Sequence, residues 1–342
     1  MKKFICIAII LALAVPLVFA NGNRDKATNK IVIYTSMYED VIEVFRKDLS
    51  GQFPQYNIQF VYGGTGTLMA RVAAEQASGK LGCDILMVAE PAYSLELKEK
   101  GILHSYKSPQ ASSLAFDYDP DGCWYPVRIN NMVLAYNPAR NAKDTIPHSF
   151  HDFAYDTAAR GAVSMSNPLV SGTAMAAITA LRSKYGPEYF EALGRQNIMI
   201  DTGAVALEKL ESGATKVAMI LEELILKKRE EEKSGLEVIY PADGTVVIPS
   251  TIMIINNQWS ANRNTSAAEE ITDWFLGTGG QNTIVASWMH SVRTNFPQKP
   301  YDALGIDEIM ANSMPVDWEN FREIEKILDD FQVYALSRRT TN

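Results

Sequence analysis

The side chains best suited to chemistry are small, neutral and gathered in two loops. Ser166-Asn167-Pro168-Leu169-Val170-Ser171-Gly172-Thr173-Ala174 follows the apolar run 162–165 and leads directly into a helical pattern. A strand, a turn and then Ser171-Gly172-Thr173 at a helix start outline an anion cradle. The first N–H groups of a helix lack internal partners, and the dipole there favours negative charge. The two hydroxyls add donors without adding charge. Ser and Thr are also preferred N-caps, so on its own this loop reads first as a cap. The second loop is Gly63-Gly64-Thr65-Gly66-Thr67, again between a strand and a helix. Its glycines permit close backbone approach to a ligand, or simply a tight βα turn. It lacks the Lys and the spacing of a Walker loop, and it is not a dinucleotide fingerprint.

Charged candidates stand at strand ends. Asp201 precedes Thr202-Gly203 and a helix, where it could cap the helix or face a ligand. Glu222-Glu223 ends the strand 217–221, and alternation turns one of the two toward a cleft unless both sit on a solvated helix start. Glu90 ends another strand, with Pro91 opening the next helix. Arg128, in Trp124-Tyr125-Pro126-Val127-Arg128-Ile129-Asn130, could grip a phosphate bidentately or pair a carboxylate such as Glu90. Thr35-Ser36-Met37 closes the first strand. His290 reads as a satisfied structural residue, and the charge runs 208–211 and 227–232 as solvated helix faces. There is no Gly-x-Ser-x-Gly, His-Glu-x-x-His or Cys-x-x-Cys, and the four histidines have no metal-ligand spacing. The sequence therefore predicts no catalytic residue, no metal site and no cofactor.

The elements that must position these residues alternate. Strands are expected over 31–34, 58–62 and 84–88, with helices over 39–49, 68–76 and 93–100. The pattern resumes with strands over 162–165, 197–201 and 217–221 and helices over 174–185, 204–211 and 224–233. Helices over 267–276, 281–289 and 320–336 follow. Such alternation means parallel sheets with right-handed crossovers, whose ligands sit beyond the carboxyl ends of the strands. Run 131–137 has no helix immediately before it, run 246–255 is long and apolar, and both read as strands crossing between two lobes. An α/β clamshell follows, with lobe 1 formed by 30–130 and 252–292 and lobe 2 by 131–251 and 293–342. The cleft between them is the expected ligand site.

Met1-Lys2-Lys3, the apolar run 4–19 and Val18-Phe19-Ala20 fit a signal peptide over 1–20. The apolar run is short for a membrane span. Losing Lys2 and Lys3 takes the formal charge from −8 to −10. An acidic chain with no basic cluster argues against nucleic acid and anionic membranes, but not against a small anion held by local dipoles. The mature chain keeps Cys83 and Cys123, compatible with one bridge or two thiols.

The opening Ile31-Val32-Ile33-Tyr34-Thr35-Ser36 and the stretch Phe60-Val61-Tyr62-Gly63-Gly64-Thr65-Gly66 resemble substrate-binding proteins of ABC importers. The branch is that of the periplasmic ferric-ion-binding proteins, and the resemblance covers nearly all of the mature chain. Those proteins typically ligate iron with two adjacent tyrosines where this chain has Glu222-Glu223. They often carry a His or acidic ligand where it has Thr35-Ser36-Met37. Within the branch the chain is similar to the AfuA-like hexose-phosphate-binding proteins. Leu81-Gly82-Cys83-Asp84, Val88-Ala89-Glu90-Pro91-Ala92-Tyr93-Ser94, Trp124-Tyr125-Pro126-Val127-Arg128, Ser164-Met165-Ser166-Asn167-Pro168 and Trp288-Met289-His290-Ser291-Val292-Arg293 carry that similarity.

The resemblance implies a type II periplasmic binding protein, soluble in the periplasm and monomeric. It implies capture of hexose 6-phosphate in the interlobe cleft and delivery to an ABC permease in the inner membrane. Thr35, Ser36, Gly64, Thr65, Gly66, Ser171, Gly172 and Thr173 would then hold the phosphate. Asp201, Glu222 or Glu223, and Glu90 would hold sugar hydroxyls. The alternatives are a ferric-ion or phosphonate binder of the same class, a receptor-signalling partner, and an exported phosphatase-like enzyme.

Overall fold

The computed structural model describes residues 29–316, 318 and 323–337. The expected signal peptide over 1–20 lies outside the described residues, as does the start of the expected C-terminal helix at 320–322. The first part of the chain runs β1 (Lys30–Thr35), α1 (Glu39–Gln52), β2 (Asn57–Tyr62), α2 (Thr65–Ala77), β3 (Ile85–Val88), α3 (Pro91–Glu99) and β4 (Trp124–Tyr136). The middle is α4 (Phe150–Tyr155), β5 (Val163–Ser166), α5 (Gly172–Tyr185), α6 (Glu188–Arg195), β6 (Met199–Asp201), α7 (Gly203–Ser212), β7 (Val217–Leu221), α8 (Glu222–Glu232), β8 (Glu237–Ile239) and β9 (Val246–Ile254). Helices α9 (Thr265–Leu276), α10 (Thr278–Ala286), α11 (Ile306–Ala311) and α12 (Ile324–Phe331) complete it, α12 running into a π-helical turn at Gln332–Leu336.

The strands lie in the order β2-β1-β3-β9-β4-β7-β5-β6, with β8 alongside β4. Two parallel groups, β2-β1-β3 and β7-β5-β6, flank the antiparallel pair β4 and β9. Strand β9 serves the first group and β4 the second. The Thr251–Ile254 end of β9 pairs with β3, while the Met132–Tyr136 end of β4 pairs with β7. Between those ends the two strands run together, Arg128 opposite Ser250 and Asn130 opposite Ile248. That shared stretch joins the two α/β lobes.

Both sheet faces are covered, as the nearly continuous apolar strands require. Ile31 and Ile33 of β1 enter one core with Phe45, Ile85 and Phe275, while Val32 and Tyr34 enter another with Leu68, Val72 and Leu97. In the other lobe Val217, Met219 and Leu221 of β7 join Phe150, Met165 and Tyr189, and Ala218 and Ile220 face Leu207 and Leu210. The period of two thus sorts each strand between two layers of helices. The C-terminal α12 docks on the second lobe, Phe331 meeting Phe190 edge-on at 5.4 Å.

The crossing strand differs from expectation. It begins at Trp124 rather than at residue 131, so Arg128 and Asn130 lie within it. Pro126 cannot donate to a ladder, and the pairing with β9 slips register between Pro126 and Arg128. Helices α4, α6 and α11 and strand β8 were not anticipated; each spans at most eight residues, too short to show a clear period. Cys83 and Cys123 are free thiols, the former fully buried.

Candidate functional site

A cavity of about 620 Å³ lies between the lobes, beyond the carboxyl ends of their strands. One lobe contributes Ser36 after β1, Gly64 and Thr65 after β2, and Ala89 after β3. The other contributes Ser166, Asn167 and Val170 to Thr173 around the β5–α5 turn, Asp201 to Gly203 at the end of β6, and Leu221 and Glu223 at the β7–α8 junction. Arg128 and Asn130 of the crossing strand form part of the wall. They are two apart, so the pleat sets both on one face.

Helices α2, α5 and α7 all present their N-termini to this space. No side chain caps α2 at Gly64. Ser171 caps α5, its hydroxyl accepting from Ala174 N at 3.3 Å and lying 3.2 Å from Thr173 Oγ1. Thr202 caps α7 through Val205 N at 3.3 Å. Each terminus carries partial positive charge and outward-facing N–H groups. The two hydroxyl loops also touch. Gly66 N donates to Val170 O at 3.3 Å, and a Cβ on Gly64 would come 3.0 Å from the same oxygen. The lobes meet again near α8: Lys227 pairs with Asp40, and Trp288 Nε1 donates to Glu230 Oε2 at 2.6 Å.

Arg128 is 4 % exposed. Its Nη1 donates only to the thioether of Met289 at 2.8 Å, and its Nε is buried without a partner. Burial pulls its pKa below the ordinary value, against the attraction of nearby Glu223. Glu223 accepts from Asn130 Nδ2 at 2.8 Å, and Ser250 Oγ donates to Asn130 Oδ1 at 2.7 Å. Burial raises the Glu223 carboxyl above its usual range, with Arg128 opposing. Tyr38, also at the wall, has its phenol pushed up by burial and then by Glu223. The Ser36 hydroxyl and Asp201 Oδ2 are likewise buried without partners, while Asp201 Oδ1 accepts from Lys209 Nζ at 2.6 Å. The wall therefore holds donors with nothing to give to and an acceptor with nothing to receive. Such groups are uncommon in folded proteins unless a ligand or water completes them.

Several expected residues take other places. Thr35 is fully buried, its hydroxyl accepting from Met37 N at 3.2 Å, and it does not line the cavity. Gly66 stands behind the wall, holding the interloop contact. Glu90 is the N-cap of α3, accepting from Ala92 N at 3.0 Å and Tyr93 N at 2.6 Å; it reaches neither the cavity nor Arg128. Burial pushes its carboxyl up to about 7. Asp201 caps nothing, because Thr202 has that role. Glu222 and Glu223 prove to be the first residues of α8, and Glu222 points away from the cavity. It gathers Asn131 Nδ2 at 3.1 Å, His290 Nε2 at 2.9 Å and the Tyr240 hydroxyl. His290 is thus the structural residue it was expected to be.

Tyr38, Tyr62, Asn130, Asn167, Val170, Thr202 and Val205 line the cavity without having been anticipated. Asn130 was findable once Arg128 lay on a strand, and Tyr62 as the last residue before the glycine loop. Among the described residues, no group of three His, Cys, Asp or Glu side chains could hold a metal ion. No described helix is long and apolar enough to cross a membrane.

Among solved structures the chain is similar to the periplasmic binding protein AfuA from Actinobacillus pleuropneumoniae with exogenous fructose-6-phosphate bound. The TM-score is 0.78 at 21 % identity, covering 90 % of this chain and 98 % of that one. It is similar to iron-bound HitA from Pseudomonas aeruginosa, with TM-score 0.77 at 18 % identity over 90 % and 99 % of the two chains. Apo ferric ion-binding protein A from Pasteurella haemolytica gives TM-score 0.72 at 14 % identity over 91 % and 100 %. Identities this low speak to the shared fold alone, the two-lobe type II binding-protein clamshell. No curated protein matches the sequence. The profile described as bacterial extracellular solute-binding protein matches residues 83–323, well over half of the chain. With its cleft walled by both lobes and two strands crossing beneath, the chain belongs to the family of bacterial extracellular solute-binding proteins.

Proposed function

We propose that this chain is the periplasmic, monomeric solute-binding component of an ABC importer and that its cleft captures a phosphorylated sugar, hexose 6-phosphate. The observation that carries this reading is Arg128. A guanidinium is buried in the cavity wall with a thioether as its acceptor and Nε unpartnered, among the N-termini of α2, α5 and α7. A buried cation of this kind is costly unless an anion completes it. Ser36, Gly64, Thr65, Ser171, Gly172 and Thr173 supply neutral donors around the same space, so a phosphate dianion is solvated by dipoles. Asp201 and Glu223 take the sugar hydroxyls, each donating to a carboxylate oxygen. Residues 30–130 with 252–292 form one lobe and 131–251 with 293–316 and 323–337 the other. Closure brings Gly66 to Val170 and Lys227 to Asp40, burying the ligand and shaping the form that docks on the permease.

AfuA was solved with fructose-6-phosphate and HitA with iron. One observation favours the ferric alternative: Tyr38 and Tyr62 both line the cavity. Against it stands Arg128, a buried cation close to Tyr38 and Glu223 in the same wall, which repels a ferric ion there. A thermal-shift panel separates the two. Ligand at about a hundred times its Kd stabilises the fold by about 2.7 kcal/mol. Glucose 6-phosphate is expected to give that shift; a shift with ferric citrate alone, with a tyrosinate-to-iron absorption band, would overturn the proposal.

A further inference from the structure

Asp201 and Lys209 form a pair whose consequence goes beyond anion capture. Lys209, one turn and a half along α7, lays its ammonium 2.6 Å from Asp201 Oδ1, and its side chain is 29 % exposed against 7 % for Asp201. Asp201 belongs to the cavity wall and Lys209 does not. The carboxylate therefore stands between a cation and the anion-binding space. Its other oxygen, Oδ2, is buried with no partner.

We infer that Asp201 is the specificity-determining residue of the cleft, masking Lys209 so that the site refuses free inorganic anions and accepts only an anion whose carbon skeleton brings a hydroxyl to the far end of the cavity. The inference rests on the sugar-phosphate reading for the identity of the preferred ligand. The chemistry is a matter of what each ligand can complete. A phosphate monoester dianion has only acceptors on its phosphoryl group, which suit Arg128 Nε and the Ser36 hydroxyl. The hydroxyls on its carbon skeleton then donate to Asp201 Oδ2, so every orphaned group is answered. Inorganic phosphate is too small to answer both ends of a cavity of about 620 Å³. If its P–OH turns to Asp201 Oδ2, Arg128 Nε and the Ser36 hydroxyl go unanswered; if it meets those two, Oδ2 stays without a donor and the ion faces the Asp201 charge. An unanswered buried acceptor is a strong basis for rejection, because the loss falls on the wrong ligand alone. Without the Asp201 charge, the ammonium of Lys209 would act on the cavity unopposed, and a selective site would become a general anion site.

The test is calorimetric titration of glucose 6-phosphate and of inorganic phosphate into ligand-stripped protein, Asp201→Asn, and the double variant Asp201→Asn/Lys209→Met. The wild-type chain is expected to bind inorganic phosphate at least 100-fold more weakly than glucose 6-phosphate. Asp201→Asn should bind glucose 6-phosphate at least 10-fold more weakly and inorganic phosphate at least 10-fold more tightly than wild type. The double variant should lose that gain while keeping the single variant's thermal midpoint, which separates a lost cation from a lost fold. Wild-type binding of both ligands alike, or an Asp201→Asn variant whose preference is unchanged, would overturn the inference. The inorganic-phosphate arm stands on its own. If glucose 6-phosphate fails to bind any variant yet Asp201→Asn gains phosphate, the masking holds and only the sugar-phosphate reading falls.

Discussion

Gly172 and Thr65 come from different lobes, and a Cβ placed on Gly172 would stand 2.5 Å from Thr65 Oγ1 and 2.6 Å from Thr65 Cβ. No real Cβ contact is so short, so the two loops can meet only because position 172 carries no side chain. Glycine here serves close approach rather than an unusual backbone, since Gly172 is the first residue of α5. Replacing it with alanine should leave the open protein intact, alanine being the better helix former, but should hold the lobes apart. Gly172→Ala is expected to weaken ligand binding 10- to 100-fold with a change in unfolding free energy of about 1 kcal/mol or less. Adding Thr65→Ser, which removes the clashing Cγ2 at 2.8 Å and leaves the hydroxyl free to turn away, should recover part of the loss, as a double-mutant cycle by calorimetry can measure.

Arg128 should split binding from stability. In Arg128→Met the anion loses its one buried guanidinium, and a loss of about 2–5 kcal/mol in ligand affinity is expected. The empty protein loses a desolvated cation whose hydrogen bonding is incomplete, so its midpoint in urea should stay level or rise. A fall in both quantities of similar size would return Arg128 to a purely structural role.

Glu222 and Glu223 predict opposite phenotypes from adjacent positions. Glu222 is 1 % exposed and is met by Asn131, His290 and Tyr240. Glu222→Ala leaves those three groups unanswered and should cost about 3–5 kcal/mol in chemical denaturation. Glu223→Ala should cost less in stability and more in sugar-phosphate affinity, because its carboxylate borders the cavity.

Glu90 gives the fold a pH dependence of known sign. Its carboxyl titrates at about 7 when folded, against an ordinary value of 4.5. Between those values the folded state holds a proton that the unfolded chain has released, so stability falls as pH rises from about 4.5 to about 7. The contribution is on the order of 3 kcal/mol across that window. Glu90→Gln should flatten this part of the curve, losing little at the acid end and gaining relative to wild type at the neutral end. Urea denaturation of ligand-free protein at both ends measures it; parallel curves would refute the assignment.

The elements were legible where the chain is strongly periodic. The strands of both parallel groups and the helices α1, α5, α7 and α9 follow from apolar spacing alone. The β-crossing at 246–255 followed from its length and apolarity and emerged as β9. The site was legible as loops but not as orientations. Ser171, Gly172, Thr173, Gly64 and Thr65 line the cavity because hydroxyls and glycines at βα turns have few other places to be. Carboxylates were harder, since the same Glu can end a strand, cap a helix or face a ligand. Glu90 turned inward on its own helix, and Glu222 turned to the crossing strands. A periodicity of two was applied to Glu222-Glu223, but the pair begins a helix, where successive residues diverge by about 100°. Tyr38 and Val205 sit at the cavity through the way the lobes come together, which local pattern does not encode.

The most direct test is isothermal titration of refolded, ligand-stripped protein with glucose 6-phosphate, ferric citrate and inorganic phosphate in parallel. Saturable one-to-one binding of glucose 6-phosphate, lost in Arg128→Met and much tighter than either competitor, is the expected result. Binding of ferric citrate with no heat from glucose 6-phosphate, undiminished by Arg128→Met, would contradict the sugar-phosphate cleft.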